Sequence, residues 1–184
     1  MAEAASFTYA QLKSALFARD GGRVHAVIDG RIVPGLPQRL QEADTNGWDC
    51  LERGALSAEA MARSSYLAEL RPEAPFTDWL LTEASLAFPG WGLVMASTRP
   101  LLPVREFCRD FDDVMMPDGE RRPWRWHDPE LLALLLPSLA PAQLDALFAL
   151  GQQIVLPGAQ RWSLHAMEQG MLASSERTLL RAPR

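Results

Sequence analysis

A chain of 184 residues with 48% hydrophobic content has the material for one sizeable core, which excludes a mainly disordered protein. Its formal net charge of −5 argues against nucleic acid as the main partner, because phosphate binding needs a basic footprint. Two cysteines, Cys50 and Cys108, are too few to staple a secreted scaffold and read as small buried thiols in a reducing cytoplasm. The first residues lack the layout of a signal peptide. The richest apolar stretch, Leu131 to Leu150, is broken by Pro137, Ser138, Pro141, Gln143 and Asp145, so no membrane span is expected.

In chain order, Tyr9, Leu12 and Leu16 recur at helical spacing and predict a helix over 8–19, ended by Gly21 and Gly22. Val24 to Asp29 reads as a buried strand, and a loop rich in Gly and Pro leads to a short helix over 36–43. A second strand is expected over 48–53. Ser57 is placed to cap a short helix, and Tyr66 to Leu70 alternates as a third strand closed by Pro72. Phe76, Trp79 and Leu80 give an apolar face to a helix over 75–87 with Pro75 near its start. The nearly continuous apolar run from Trp91 to Ala96 predicts a strand covered on both faces. A helix over 101–111 follows, then Asp113 to Met116 and a hairpin turn at Pro117-Asp118-Gly119.

The stretch from Arg122 to Pro137 changes grammar abruptly. Trp124 and Trp126 share one face of an extended segment, with Arg125 and His127 on the other. Asp128 then reads as an N-cap and Pro129 as the first residue of a leucine-rich helix that Pro137 stops. Another helix runs from Pro141 to about Gly151, and Ile154 to Leu156 and Arg161 to His165 are expected to pair as a hairpin across Pro157-Gly158. The tail from Met167, with Met171, Leu172, Leu179, Leu180, Arg177, Arg181 and Arg184, is expected to be a helix packed on the body or on a partner.

Chemistry-bearing residues are sparse. His25, His127 and His165 do not combine with the cysteines at metal-ligand spacing, so no metal is expected. Nucleophile-elbow, phosphate-loop and dinucleotide fingerprints are missing, so no cofactor is expected. Asp110, Asp112 and Asp113 read as a solvated acidic edge rather than a calcium loop. Among the six tryptophans, Trp79 and Trp91 fall on apolar faces and are expected in the core. Trp48 and Trp162 have polar flanks and are candidates for a surface that meets a partner, together with Met167, Met171 and Leu172.

Several pieces in order carry a family resemblance: Val27-Ile28-Asp29, Tyr66-Leu67, Pro75-Phe76-Thr77 with Trp79-Leu80, Trp91-Gly92-Leu93 with Ser97, and Pro117-Asp118-Gly119. The Trp124 to Pro129 junction, Leu135-Leu136-Pro137 with Leu139, Gln143-Leu144 and Leu147-Phe148 complete the set. Over most of residues 24–156 the chain resembles the type VI secretion effector adaptors, also called Tap or TEC chaperones. It departs from their pattern in having Trp124, Trp126 and His127 where phenylalanines and a tyrosine are more usual. Ala140 stands where an acidic cap is more usual, and Phe107 or Cys108 where a histidine is common.

The pattern predicts an α/β (α+β mixed) fold: a small mixed sheet with surrounding helices and a more helical C-terminal lobe. The division expected is 1–116 as an N-terminal lobe and 117–184 as a strand-helix lobe with a tail, or one continuous domain. The resemblance implies a cytoplasmic, non-enzymatic protein that recognises a secreted effector and helps load it onto a VgrG-type spike protein. A variable tail would meet the cargo, so that removing residues 167–184 weakens effector binding and leaves the fold intact. The alternative is a small hydrolase or transferase using Cys50 or Cys108 with His127, which requires those groups to converge.

Overall fold

The computed structural model describes residues 5–18, 21–116 and 118–180. Arg19, Pro117, Arg181 and Arg184, each part of an expectation above, lie outside them. The elements, in order, are β1 (Ala5–Thr8), α1 (Tyr9–Phe17), β2 (Arg23–Asp29), α2 (Leu36–Glu42), β3 (Gly47–Cys50), α3 (Ala58–Arg63) and β4 (Ser65–Leu70). Next come α4 (Pro75–Trp79), a π-helical stretch (Leu80–Ala84), α5 (Ser85–Ala87), β5 (Gly92–Ser97), α6 (Leu101–Asp110), β6 (Asp113–Met115) and β7 (Arg121–Pro123). The chain ends with α7 (Pro129–Leu135), a 3₁₀ turn, α8 (Pro141–Leu147), β8 (Gly151–Leu156), β9 (Arg161–Glu168) and β10 (Met171–Leu180). The fold is α+β, as expected.

Among the described residues, one 8-stranded sheet has the order β1-β10-β9-β8-β5-β2-β4-β3, and β6 and β7 form a separate small ribbon. Every neighbouring pair in the large sheet is antiparallel except β1 with β10. The sheet therefore joins strands from both halves of the chain. Its central strands β2, β4 and β5 are buried along almost their whole length, which explains their nearly unbroken apolar sequences.

Alternation along these strands supplies two cores. Val24, Ala26, Ile28, Tyr66, Ala68 and Val94 meet the apolar faces of α1, α2 and the 75–87 helical stretch. Val27, Leu67, Leu93, Met95 and Ile154 meet α6, α7 and α8 on the other side. Trp91 closes the first core, its indole N–H donating to Ser85 Oγ at 3.0 Å. Trp79 differs from expectation: it is half-buried, with the Arg39 guanidinium 4.5 Å above its ring, because the stretch packs through Phe76, Leu80 and Leu81 instead.

Four other expectations change. Trp162 is 0% exposed within the first core, so it cannot present a surface to a partner. Its polar flanks reflect the opposite face of β9, not the indole's own side. The tail from Met167 is strand rather than helix as far as it is described: Met167 and Glu168 end β9, and β10 pairs with β9 from Met171 to Thr178. The C-terminal part is helical only over α7 and α8 and ends in β8, β9 and β10. Finally, Leu179 is buried and β1 pairs with Arg177 to Leu180, so residues 167–184 are not a removable tail.

Two glycines mark where the backbones come closest. A Cβ on Gly92, whose φ is +144°, would lie 1.8 Å from the Val27 carbonyl oxygen. A Cβ on Gly30 would lie 2.5 Å from that of Ser64. Neither oxygen can move without breaking the ladder around β2. Gly92→Ala is expected to cost about 3 kcal/mol, read as a lower midpoint in urea unfolding, whereas Gly21→Ala, with nothing within 4 Å of the added carbon, should cost about 1 kcal/mol from its positive φ alone.

Candidate functional site

The junction between β7 and α7 forms the centre of the site. The strand ladder stops at Pro123, one correction to the expectation, so Trp124 and Trp126 lie just beyond it. Trp126 and His127 lie in a turn rather than in an extended strand, yet both tryptophans still face the second core. Trp124 donates its indole N–H to the Phe111 carbonyl, and Trp126 is buried in the second core with its N–H 3.2 Å from Asp112 Oδ1. The chain then turns, the Asp128 N–H donating to the Arg125 carbonyl at 3.0 Å. Asp128 caps α7 as expected, accepting from the N–H groups of Glu130 at 3.0 Å and Leu131 at 3.2 Å, with Pro129 at the first helical position.

Arg125 and His127 point the other way, onto the last residues of the sheet. Asp29 ends β2 and stands opposite Ser65, the first residue of β4. Both are buried. His127 Nε2 lies 3.1 Å from Ser65 Oγ and 3.7 Å from Asp29 Oδ2. Arg125 Nε approaches Asp29 Oδ2 at 2.8 Å, off the line of its N–H, so this contact is an ion pair rather than a directed hydrogen bond. Arg31 donates to both Asp29 oxygens through Nε at 3.1 Å and Nη2 at 3.2 Å, and also through its backbone N–H at 2.8 Å. Burial by itself would raise the Asp29 pKa. The His127 imidazole and then Arg31 outweigh that and hold the carboxyl well below the usual range.

A cleft of about 630 Å³ opens beside this cluster, lined by Arg31, Ser65, Trp124, Arg125, His127 and Leu131 among others. Asp112, expected on a solvated edge, is instead half-buried against Trp126, and its pKa is raised chiefly by burial.

Serine, imidazole and carboxylate converge here, so their geometry must be compared with that of an acyl-transfer relay. A relay base contacts the nucleophile through one ring nitrogen and its carboxylate through the other. In this site both contacts fall on Nε2, and Nδ1 is buried without a hydrogen-bond partner. Asp29 is in addition occupied by two guanidiniums. The imidazole is placed as a pin between sheet and junction.

Neither cysteine joins His127. Cys50 stands opposite Tyr66 and packs with the first core, whereas Ser65, the contact of His127, faces the other side of the sheet. Cys108 lies in the second core, and burial pushes its thiol up, away from the thiolate a nucleophile needs.

The remaining candidates are dispersed. Trp48 is half-buried on β3, packed edge-on to Tyr66. Met167 and Leu172 face each other across the β9–β10 hairpin, half-buried, and Met171 is 68% exposed near its tip. His165 lies between two serines, 2.8 Å from Ser174 Oγ and 3.0 Å from Ser163 Oγ. Among the described residues, no three His, Cys, Asp or Glu side chains gather as they would around a metal ion, and no helix is long and apolar enough to cross a membrane.

The model of the DUF4123 family, a domain of unknown function, matches residues 24–146. The chain belongs to the DUF4123 family. That family is associated with type VI secretion effector adaptors. No curated protein and no solved structure matches the chain. The DUF4123 match takes in Asp29, Ser65, Arg125 and His127, and therefore the whole polar cluster. It leaves out β1, α1, β8, β9 and β10.

Asp29→Asn should cost about 3 kcal/mol, because two guanidiniums lose their shared anion. The depressed pKa means this contribution is full at neutral pH and fades only as pH falls through the ordinary carboxylate range and beyond. Denaturant unfolding of the variant and the native chain at pH 7 measures it.

His25 gives a separate acid response. It is buried on the same face, 3.6 Å from Glu69, yet burial and then Arg23 push its pKa down to about 4. It is neutral in the fold and takes up a proton on unfolding, so stability is complete above about pH 6.5 and falls toward pH 4 by about 3 kcal/mol. His25→Gln should flatten that slope in a pH series of urea melts.

Proposed function

We propose that this chain is a cytoplasmic adaptor that binds a type VI secretion effector and helps load it onto a VgrG-type spike protein, without catalytic turnover. The family match over residues 24–146 carries this reading. The geometry supports it in one respect. The buried polar groups that look reactive are engaged in holding chain segments together: Asp29 by Arg31 and Arg125, and His127 by Ser65.

The DUF4123 region and the strands outside it divide the work. The shared region supplies the common framework, and the segments outside the match, which complete one side of the sheet, distinguish this member from others. Selectivity between cargoes is then a difference in affinity set by surfaces that vary.

Co-expression of the tagged chain with the products of its neighbouring genes tests the reading. The expected result is a complex containing a spike protein and a toxin. Recovery of the chain alone, folded and free of both, would overturn it. The cysteine-based hydrolase alternative lacks convergence of its groups, and a different hydrolase reading, on the 3.1 Å contact of Ser65 with His127, is separated from the adaptor by Ser65→Ala. This change should cost about 1 kcal/mol of stability and leave complex formation and delivery unchanged. Loss of delivery by a folded Ser65→Ala protein would restore the enzyme.

A further inference from the structure

The cleft beside the Asp29 cluster is lined by charges of both signs, and the two signs are not equally satisfied. Its cations are engaged. Arg31 and Arg125 share Asp29, with Asp128 a further 3.4 Å from Arg125, and Arg109 donates to the backbone carbonyls of Cys50, Leu51 and Glu52. Arg53, on the exposed rim, lies 3.7 Å from both Glu106 and Asp110. None of these guanidiniums comes within ion-pair distance of the carboxylates of Glu52 and Asp112, which line the same cleft.

These two carboxylates are short of donors. Asp112 takes the Trp126 indole N–H on one oxygen, and the Glu52 carboxylate has no hydrogen bond or ion pair among the described residues. Burial raises the Asp112 pKa, and the carboxylates of Glu52 and Asp113 add to the rise. Asp113 has Arg53 and Arg121 beside it in the adjoining depression, so the unbalanced pair is Glu52 with Asp112.

A second, independent observation is the imidazole of His127. It is 3% exposed, and its Nε2 edge meets Ser65 and Asp29. With the proton of the neutral ring on Nε2, facing that carboxylate, Nδ1 is a lone-pair acceptor. It is buried without a hydrogen-bond partner, and Asp112 is near enough for charge on the ring to act on its carboxyl. A buried acceptor that no donor reaches is costly. Three acceptors therefore border one cleft, and its cations point elsewhere. Trp124, held by its indole N–H on the Phe111 carbonyl, adds an aromatic wall.

We propose that this cleft receives an arginine side chain of a partner protein, its guanidinium donating to the carboxylates of Glu52 and Asp112 and to Nδ1 of His127 beside the Trp124 ring. A guanidinium suits the site because it offers five N–H donors in one plane and stacks on aromatic rings, whereas an ammonium is a compact point charge. The chain's own further arginines do not reach it. Arg181 and Arg184 lie within four residues of Leu180, about 14 Å at full extension. Strands β10 and β3, the second of which leads into Glu52, are six places apart in the sheet, about 29 Å at the usual spacing. Arg19 precedes β2, whose other end is Asp29. The inference rests on the adaptor reading for the nature of the partner and deepens it by naming a side chain the partner presents. Its test uses the isolated chain and a synthetic peptide, so its failure would leave the co-purification result standing.

The probe is the blocked peptide acetyl-Gly-Arg-Gly-amide, and the control carries citrulline, neutral and of the same shape, in place of arginine. NMR of the full chain follows the Trp124 indole N–H and the His127 ring nitrogens. The arginine peptide should shift both, with a Kd in the millimolar range expected of one side chain, and should move Nδ1 of His127 toward the resonance of a hydrogen-bonded acceptor. The citrulline peptide should leave both in place. Glu52→Gln, at an exposed position, and Asp112→Asn, which keeps an acceptor for Trp126, should each weaken binding about fivefold. No shift at either group with the arginine peptide, an equal response to citrulline, or undiminished binding by a folded Glu52→Gln protein would overturn the proposal. Tighter binding of putrescine than of the arginine peptide would assign the cleft to a free polyamine, and would overturn it as well.

Discussion

The structure depends on a single buried carboxylate. Asp29 ends the central strand β2, and three separate parts of the chain reach it: Arg31 from the following loop, Arg125 and His127 from the junction before α7, and Ser65 through its shared contact with His127. Burying an anion is costly, and the arginines and the Arg31 backbone N–H offset that cost rather than producing a large net gain. What the cluster specifies is position. The segment that buries Trp126 in the second core brings Arg125 and His127 to Asp29 from its other side. The cap at Asp128 then fixes where α7 starts, and with it the leucines that cover β5 and β8.

The close backbone approaches surround the same corner. Gly30 follows Asp29 directly and lies against Ser64, and Gly92 lies against Val27. Asp29 also donates its backbone N–H to the Trp91 carbonyl at 2.8 Å. A side chain at either glycine would push apart β2 and the segment it touches, and the carboxylate would move away from its cations. Packing and electrostatics are therefore coupled here, and effects of substitution at Gly30, Gly92 and Asp29 should not add.

Much of the architecture was legible because its signals are local. The apolar runs of β2, β4 and β5, the caps at Ser57 and Asp128, and the prolines opening α4, α7 and α8 each report on a few adjacent residues, and the elements stand where those signals placed them. The polar cluster was not legible. Asp29, Ser65 and His127 are far apart in sequence, and no motif joins them until the sheet sets β2 beside β4. The β10 strand was missed for a different reason. As a strand near the sheet edge it alternates poorly, Ser174, Ser175 and Glu176 all being exposed, and the spacing of Leu172, Leu179 and Leu180 imitates a helix. Trp162 was misplaced because polar neighbours on a strand describe the other face, not the residue between them.

Under the proposed adaptor reading, cargo selectivity and folding share this part of the chain. A removable tail would allow the two to be parted by truncation, and β10 does not. Its final residues hold β1 and bring Leu179 into the core that contains Trp162, so cutting at Met167 exposes apolar surface on β9 and leaves β1 without its neighbour. The portion nearer the hairpin tip is different. From Met171 to Glu176 the strand contributes one half-buried leucine and otherwise exposed or small side chains, and its inward hydrogen bonds go to β9 alone. One strand thus has an end built into the core and an end that, among the described residues, pairs with β9 alone. The exposed side chains of Met171, Ser175 and Glu176 belong to neither core, so substitutions there leave the carboxylate cluster and the packing of β1 in place.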